Sequence, residues 1–181
     1  MRAGIAIAIA LVALAVSGAA AATATAEEFQ VRRAASSSTA TLEKAVIARI
    51  NQLRRGRGLS PLRLNRRLAA AADYHSRDMG RRGYFEHDSA DGTVFWRRIE
   101  RFYSSRGFRT WTVGENLLWA SRKCGADFAV RRWMRSTPHR RNMLSRDWRE
   151  IGIGAAYFVR APGDYGGRPV TILTADFGSR A

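Results

Sequence analysis

A chain of 181 residues with 46% hydrophobic and 10% aromatic content is long enough for one packed domain and too apolar to be wholly disordered. Its one cysteine, Cys124, excludes an intrachain disulfide framework, a multi-cysteine zinc site and an iron–sulfur cluster. Charge is one-sided: 31 Lys+Arg, 29 of them arginine, stand against 15 Asp+Glu, a formal +16 that reflects either an anionic partner or codon bias.

Met1-Arg2 supplies a short positive start, Ala3 to Ala22 is uncharged and mostly apolar, and Ala24-Thr25-Ala26 gives a small-residue exit. This pattern predicts a signal peptide over 1–26 that is cleaved after Ala26, with an uncleaved anchor as the alternative. The exported chain would have 155 residues and a net charge of +15. Residues 27–41, with Arg32-Arg33 and a Ser/Thr/Ala run, read as a flexible leader before a folded domain over 42–181. No second segment is apolar enough to span a bilayer, so the cleaved protein is expected to have no membrane span and to be secreted or associated with the cell envelope.

Thr41 can cap a first helix in which Leu42, Val46, Ile50 and Leu53 form one apolar stripe, ended by Gly56 and Gly58. Leu59 to Leu64 reads as an extended connector, and Asn65 as the cap of a second helix with the stripe Leu68, Ala72, His75, Met79, stopped by Gly80 and Gly83. A polar turn from Tyr84 to Gly92 leads to a short helix holding Phe95, Trp96 and Ile99. A strand is predicted around Arg109 to Val113, then a helix over Ala126 to Arg135 with Ala126, Val130 and Trp133 on one face. Ile151 to Val159 and Val170 to Phe177 are β-rich runs whose Pro/Gly linker makes them antiparallel. Helices first and strands last indicate an α+β architecture rather than a parallel βαβ sheet. Trp96, Trp119, Phe128, Trp133 and Tyr157 are the main core candidates.

Three histidines limit the search for chemistry. His75 lies on the apolar stripe of its helix and reads as a core residue. His87 sits in the polar turn between Glu86 and Asp88. Glu115 lies in Gly114-Glu115-Asn116, where the glycine permits a sharp bend. His139 follows Ser136-Thr137-Pro138, and Glu150 precedes Ile151-Gly-Ile-Gly. Two imidazoles and two carboxylates are the ingredients of a polar cleft, suited to a divalent metal or to acid–base work. There is no His-Glu-x-x-His helix, no Gly-x-Ser-x-Gly elbow and no phosphate-cradling glycine loop. Each candidate also has a structural reading: His87 as a loop hydrogen-bonder, His139 as a helix cap, Glu115 as an acceptor for backbone donors, Glu150 as an arginine's partner. Cys124 is expected to be a buried small residue.

In order, Leu68–Met79, Gly83-Tyr-Phe-Glu-His87 with Asp91-Gly92, Gly114-Glu115-Asn116-Leu117, Trp133–Leu144 and Glu150-Ile-Gly-Ile-Gly154 resemble a bacterial domain of the CAP superfamily. This SCP-like family takes in cysteine-rich secretory proteins, antigen 5 and pathogenesis-related 1. The likeness runs from about Ala45 to Phe177. It implies an α-β-α sandwich in which a central, mostly antiparallel sheet lies between helical layers and carries an open cleft. A tetrad of two histidines and two glutamates is common in that family, and some members bind zinc or magnesium through the histidines. The matching positions are His87, Glu115, His139 and Glu150, with His87 and His139 as the metal ligands and His75 as a supporting residue. The family's Ser-Pro-Gly-His turn appears here as Ser136-Thr-Pro-His139, and the cysteine pairs of many eukaryotic members are absent.

These readings favour an exported, non-enzymatic protein that binds a lipid, a small apolar molecule or another envelope-derived ligand in a His/Glu-lined cleft. The alternatives are a peptidase-like metal hydrolase using Glu115 and Glu150 in the same cleft, and an interaction protein recruited by charge to an anionic envelope polymer or lipid. Nucleic acid fits poorly, because no nucleic-acid motif is present and the chain carries an export signal. From Ile151 onward three arginines face two acids, whereas Arg54 to Arg67 holds six arginines and no acid, and Arg122 to Arg149 nine basic residues against two acids. An anionic partner is therefore expected on the helical layer beside the cleft.

Overall fold

The computed structural model describes residues 38–121 and 123–181; the signal peptide expected over 1–26 and most of the leader expected over 27–41 lie outside these residues. Helix α1 covers 38–55, so Thr41, expected as its cap, lies within it. The other elements are β1 (Arg63–Leu64), α2 (Arg66–Arg82), α3 (Phe95–Phe102), β2 (Trp111–Ser121), α4 (Ala126–Arg135), α5 (Thr137–Leu144), β3 (Glu150–Ala161), a 3-10 turn (Gly163–Tyr165) and β4 (Arg168–Arg180). The strands form one sheet in the order β1-β3-β4-β2, parallel between β1 and β3 and antiparallel elsewhere. Among the described residues no helix is long and apolar enough to cross a membrane.

Side chains alternate across the sheet with period two, which assigns each strand residue to a layer. Ile151, Ile153 and Ala155 of β3, with Leu173, Ala175 and Phe177 of β4, pack against Val46 and Ile50 of α1, Val130 and Trp133 of α4 and Met143 of α5. The intervening residues face α2 and α3: Val170 and Ile172 join Met79, Leu117 and Tyr165, while Leu68, Ala71, Ile99 and Tyr103 close the α2–α3 contact. The result is the expected α-β-α sandwich. Beyond the short β1, the edge of β3 is covered by α1, where the Glu43 carboxylate accepts from the Ala155 amide at 2.9 Å.

Asn65 caps α2 as expected, accepting from the Arg67 and Leu68 amides, and Gly83 ends the helix in the left-handed region at φ 78°. Gly80, expected as a stop, lies inside α2; a Cβ there would meet the Phe158 ring at 2.1 Å. Of the core candidates only Trp133 is fully buried. Trp96 and Phe128 are 40% and 41% exposed, because each lies on the outward side of its short helix. Cys124 is half-buried against the α1/α4/α5 core, and burial raises its thiol pKa.

Candidate functional site

The largest correction concerns the segment around Glu115. The predicted strand extends to Ser121, so Gly114-Glu115-Asn116 is mid-strand in β2 and not a bend. Gly114 is needed for close approach: a Cβ would meet Trp148 Cζ2 at 2.8 Å and Asn142 Oδ1 at 3.4 Å. Alternation then sends Glu115 to the α2–α3 side and Asn116 to the α5 side.

On the first side, Glu115 is buried and both of its oxygens are engaged. Oε1 accepts from His87 Nδ1 at 2.7 Å, and Oε2 accepts from Nη2 of Arg98, itself fully buried. A carboxylate acceptor requires the N–H of His87 on Nδ1, leaving Nε2 for solvent or ligand on a side chain that is 52% exposed. The loop carrying His87 is tied from beneath. Arg98 Nη1 donates to the His87 carbonyl at 2.7 Å, and His75 Nε2 donates to the Glu86 carbonyl at 2.9 Å. Directly opposite Glu115 in the β2–β4 ladder stands Asp176, fully buried. Burial first, and then the Glu115 charge, push its pKa well above the usual carboxylate range.

On the second side, two asparagine amides fasten α5 to β2. Asn142 Nδ2 donates to the Glu115 carbonyl at 3.0 Å and to Asn116 Oδ1 at 2.9 Å; Asn116 Nδ2 donates to the His139 carbonyl at 3.0 Å. Pro138 sits in the first turn of α5, where its missing N–H costs nothing, and His139 follows within that turn while Ser136 takes the cap position. Burial, then the proximity of His87, lowers the His139 pKa. The two imidazoles come from opposite helical layers of the sheet, His87 from the α2–α3 side and His139 from α5.

Glu150 is held elsewhere. It lies opposite Gly178, one strand further from β2 and two residues along from the Asp176–Glu115 pair, and it accepts from Tyr103 Oη at 2.6 Å and Asn65 Nδ2 at 3.0 Å. Burial alone would raise its pKa, but these bonds and the Arg180 and Arg63 charges outweigh it and hold the carboxylate below its usual range. His87 and Glu115 are joined directly, and His139 is tied to the same strand only through its carbonyl and Asn116, whereas Glu150 is bonded at the neighbouring cap of α2.

The site's residues do not make a full metal-ligand set. Two imidazoles suit zinc and not magnesium, which prefers oxygen donors. Glu115 is taken by Arg98 and His87, and among the described residues no group of three His, Cys, Asp or Glu side chains is placed to hold a metal.

His75 is the core histidine that its stripe predicts. Its Nε2 bond to a carbonyl leaves Nδ1 a sealed acceptor without a partner, and burial lowers its pKa to about 4. Because the folded-state value lies below the unfolded value of about 6.5, the unfolded chain takes up the proton first. The neutral ring therefore costs nothing above pH ~6.5 and removes about 3 kcal/mol as pH falls from there to ~4. Urea unfolding at pH 7 and pH 4 is expected to show this loss in the wild type, and His75→Gln to lack it. Equal pH dependence in both proteins would contradict this assignment.

A family model described as "CAP: Cysteine-rich secretory protein family" matches residues 47–165. The uncharacterized protein YkwD of Bacillus subtilis is 34% identical over 129 residues, which is 71% of this chain and 48% of that protein, so the chain spans about half the length of that relative. Among solved structures, an extracellular protein of Bacillus anthracis containing a SCP domain aligns with TM-score 0.59 and 25% identity, over 77% of this chain and 40% of its own. An outer surface protein of Borrelia burgdorferi shares the fold with TM-score 0.56 and 20% identity, over 76% of this chain and 92% of its own.

Proposed function

Starting from a chain that belongs to the cysteine-rich secretory protein (CAP) family, we propose an exported binding domain whose cleft at the β2 edge holds a lipid or other envelope-derived ligand without turning it over. The observation that carries this reading is the exposed His87 ring, held by the buried Glu115 with Nε2 free and set beside Phe95, while Glu115 itself is engaged and so is not the base of the hydrolase alternative. A general base must reach the proton it takes, and both oxygens of this carboxylate are occupied by Arg98 and His87. Its role is to orient His87, much as a carboxylate fixes the ring of a ligating histidine. His87 Nε2 and the His139 ring are left as the polar contacts for a ligand. Phe95, whose ring centroid is 6.2 Å from that of His87, supplies an apolar flank. The Bacillus anthracis relative is extracellular and the Borrelia one is an outer surface protein, which supports the export reading drawn from residues 1–26. The positive charge supports retention at an anionic surface, an interaction that salt weakens.

A fluorescent long-chain fatty acid is expected to bind saturably, and His87→Ala or His139→Ala to weaken it about tenfold, the loss of one polar contact of ~1.4 kcal/mol. No turnover of p-nitrophenyl esters or casein is expected. Turnover that His139→Ala abolishes would instead support the hydrolase alternative, and absence of binding across fatty-acid and glycan panels would reject the ligand reading.

A further inference from the structure

The two arginine-rich runs of the sequence meet in space at a place separate from the cleft. Arg54, Gly58, Leu59 and Ser60, from the end of α1 and the turn after it, and Arg146 and Arg149, from the loop between α5 and β3, line a polar pocket of about 410 Å3. Three arginines and a serine line one cavity whose lining contains no acid. Arg54 is only 1% exposed, and its bonds run to carbonyls: Nε to Ser60 at 2.9 Å, Nη1 to Met143 and Ser145 at 2.9 Å each. No bond to a described residue uses its Nη2. Among the described residues no carboxylate pairs with it, and besides burial the charge that acts on it is that of Arg149, of the same sign.

A buried cation is ordinarily paired. The carbonyls at the C-terminal end of α5 carry partial negative charge and account for Arg54 itself. They do not account for Arg146 and Arg149, both exposed, which line the same cavity; Arg149 Nη1 donates to the Arg146 carbonyl at 2.6 Å and the Trp148 carbonyl at 3.3 Å, and an anion there would offset the Arg149 charge that acts on Arg54. Guanidinium groups present forked donors that match the oxygens of phosphate, and the Ser60 hydroxyl adds a neutral donor. We propose that this pocket is a phosphate-binding site. Its phosphate is either the free ion or the headgroup of an anionic lipid; the recognition chemistry is the same. The site gives the charge-recruitment part of the reading above a location and is independent of the cleft. His139 lies in the first turn of α5 and the pocket beyond its last, about 9 Å of helix rise away.

The test uses inorganic phosphate in one arm and, in the other, phosphatidylcholine vesicles with and without phosphatidylglycerol, at fixed ionic strength. The proteins are wild type, Arg146→Gln/Arg149→Gln, and a control of equal charge on the exposed face of α4, Arg131→Gln/Arg132→Gln. Saturable phosphate shifts of the Gly58 and Ser60 amide resonances, weakened about tenfold or more in the pocket variant and less than twofold in the control, support the site as one for free phosphate. Binding only to phosphatidylglycerol vesicles, with the same selective loss, supports it as a headgroup site. Equal losses in the two variants overturn the pocket while leaving diffuse charge recruitment intact. No binding in either arm overturns it as well.

Discussion

Replacing Arg98 with methionine is expected to cost about 4 kcal/mol of stability, because it leaves the Glu115 carboxylate buried with its strongest partner gone. The guanidinium is fully buried and supports three features at once: Glu115 Oε2, the carbonyl of His87 and, at 3.3 Å, the Ser89 hydroxyl. Asp176 beside Glu115 worsens the loss, since two carboxyls facing each other without a cation must share a proton or repel. Lysine cannot reproduce the forked contact and is expected to recover only part of the loss. The discriminating measurement is a double-mutant cycle by urea unfolding at pH 7. Arg98→Met/Glu115→Gln is expected to be more stable than the sum of the single changes predicts, with a coupling of about 2 kcal/mol or more. Additive effects would mean that the pair contributes packing alone. Arg98→Met is also expected to loosen the loop bearing His87 and so weaken fatty-acid binding, whereas Glu150→Gln, acting on the α2 cap, should leave binding unchanged.

Much of this site could be read from the sequence, and the parts that could not share one physical cause. His87, Glu115 and His139 were accessible because polar residues in turn-rich or glycine-flanked segments stand out from their surroundings. Arg98 and Asp176 were hidden because each sits at an inward position of an element read only for its apolar residues. In α3 the stripe Phe95, Arg98, Phe102 has helical spacing, and in β4 the face Val170, Ile172, Thr174, Asp176 has period two. A charge inside an apolar stripe signals a buried pair, but the partner comes from a distant element and only the strand register identifies it. A glycine before Glu115 suggests a turn through its torsional freedom, whereas Gly114 is there to let Trp148 approach. Glu150, expected just ahead of the Ile-Gly-Ile-Gly strand, is the strand's first residue, and the register places it beside the α2 cap. Antiparallel pairing of the last two strands followed from their turn, but the sheet order β1-β3-β4-β2 depends on contacts that no local pattern encodes.

Gly154→Ala is expected to cost about 3 kcal/mol or more, at the upper end for overpacking, because the new methyl group meets backbone and not a side chain that can rotate away. A Cβ at Gly154 would lie 2.1 Å from the Asp73 nitrogen and 2.3 Å from the Ala72 carbonyl carbon; at Gly152 it would lie 2.0 Å from the Ala69 nitrogen. The spacing of these contacts explains the Gly-x-Gly pattern. Residues 152 and 154 are one pleat repeat apart, about 6.8 Å, and Ala69 and Asp73 are four helical residues apart, about 6.0 Å. Each pleat of β3 therefore receives close to one turn of α2, and the helix backbone lies directly on the strand. Raising α2 by the ångström or more that a methyl group demands would open contacts along the whole interface. It would pull Ser76 from its 2.9 Å bonds to the Gly154 carbonyl and Thr174, and shift His75, which holds the loop of His87. Loss of ligand binding should thus accompany loss of stability. Gly125→Ala is the control: no atom outside its chain neighbours lies within 4 Å of its Cβ position and its φ of −94° suits alanine, so the cost should not exceed the roughly 1 kcal/mol of replacing a glycine helix cap. If urea unfolding showed Gly154→Ala and Gly125→Ala to be equally mild, α2 would have to be free to rise from the sheet, and the close seating of helix on strand would not be what fixes His75 beneath the site.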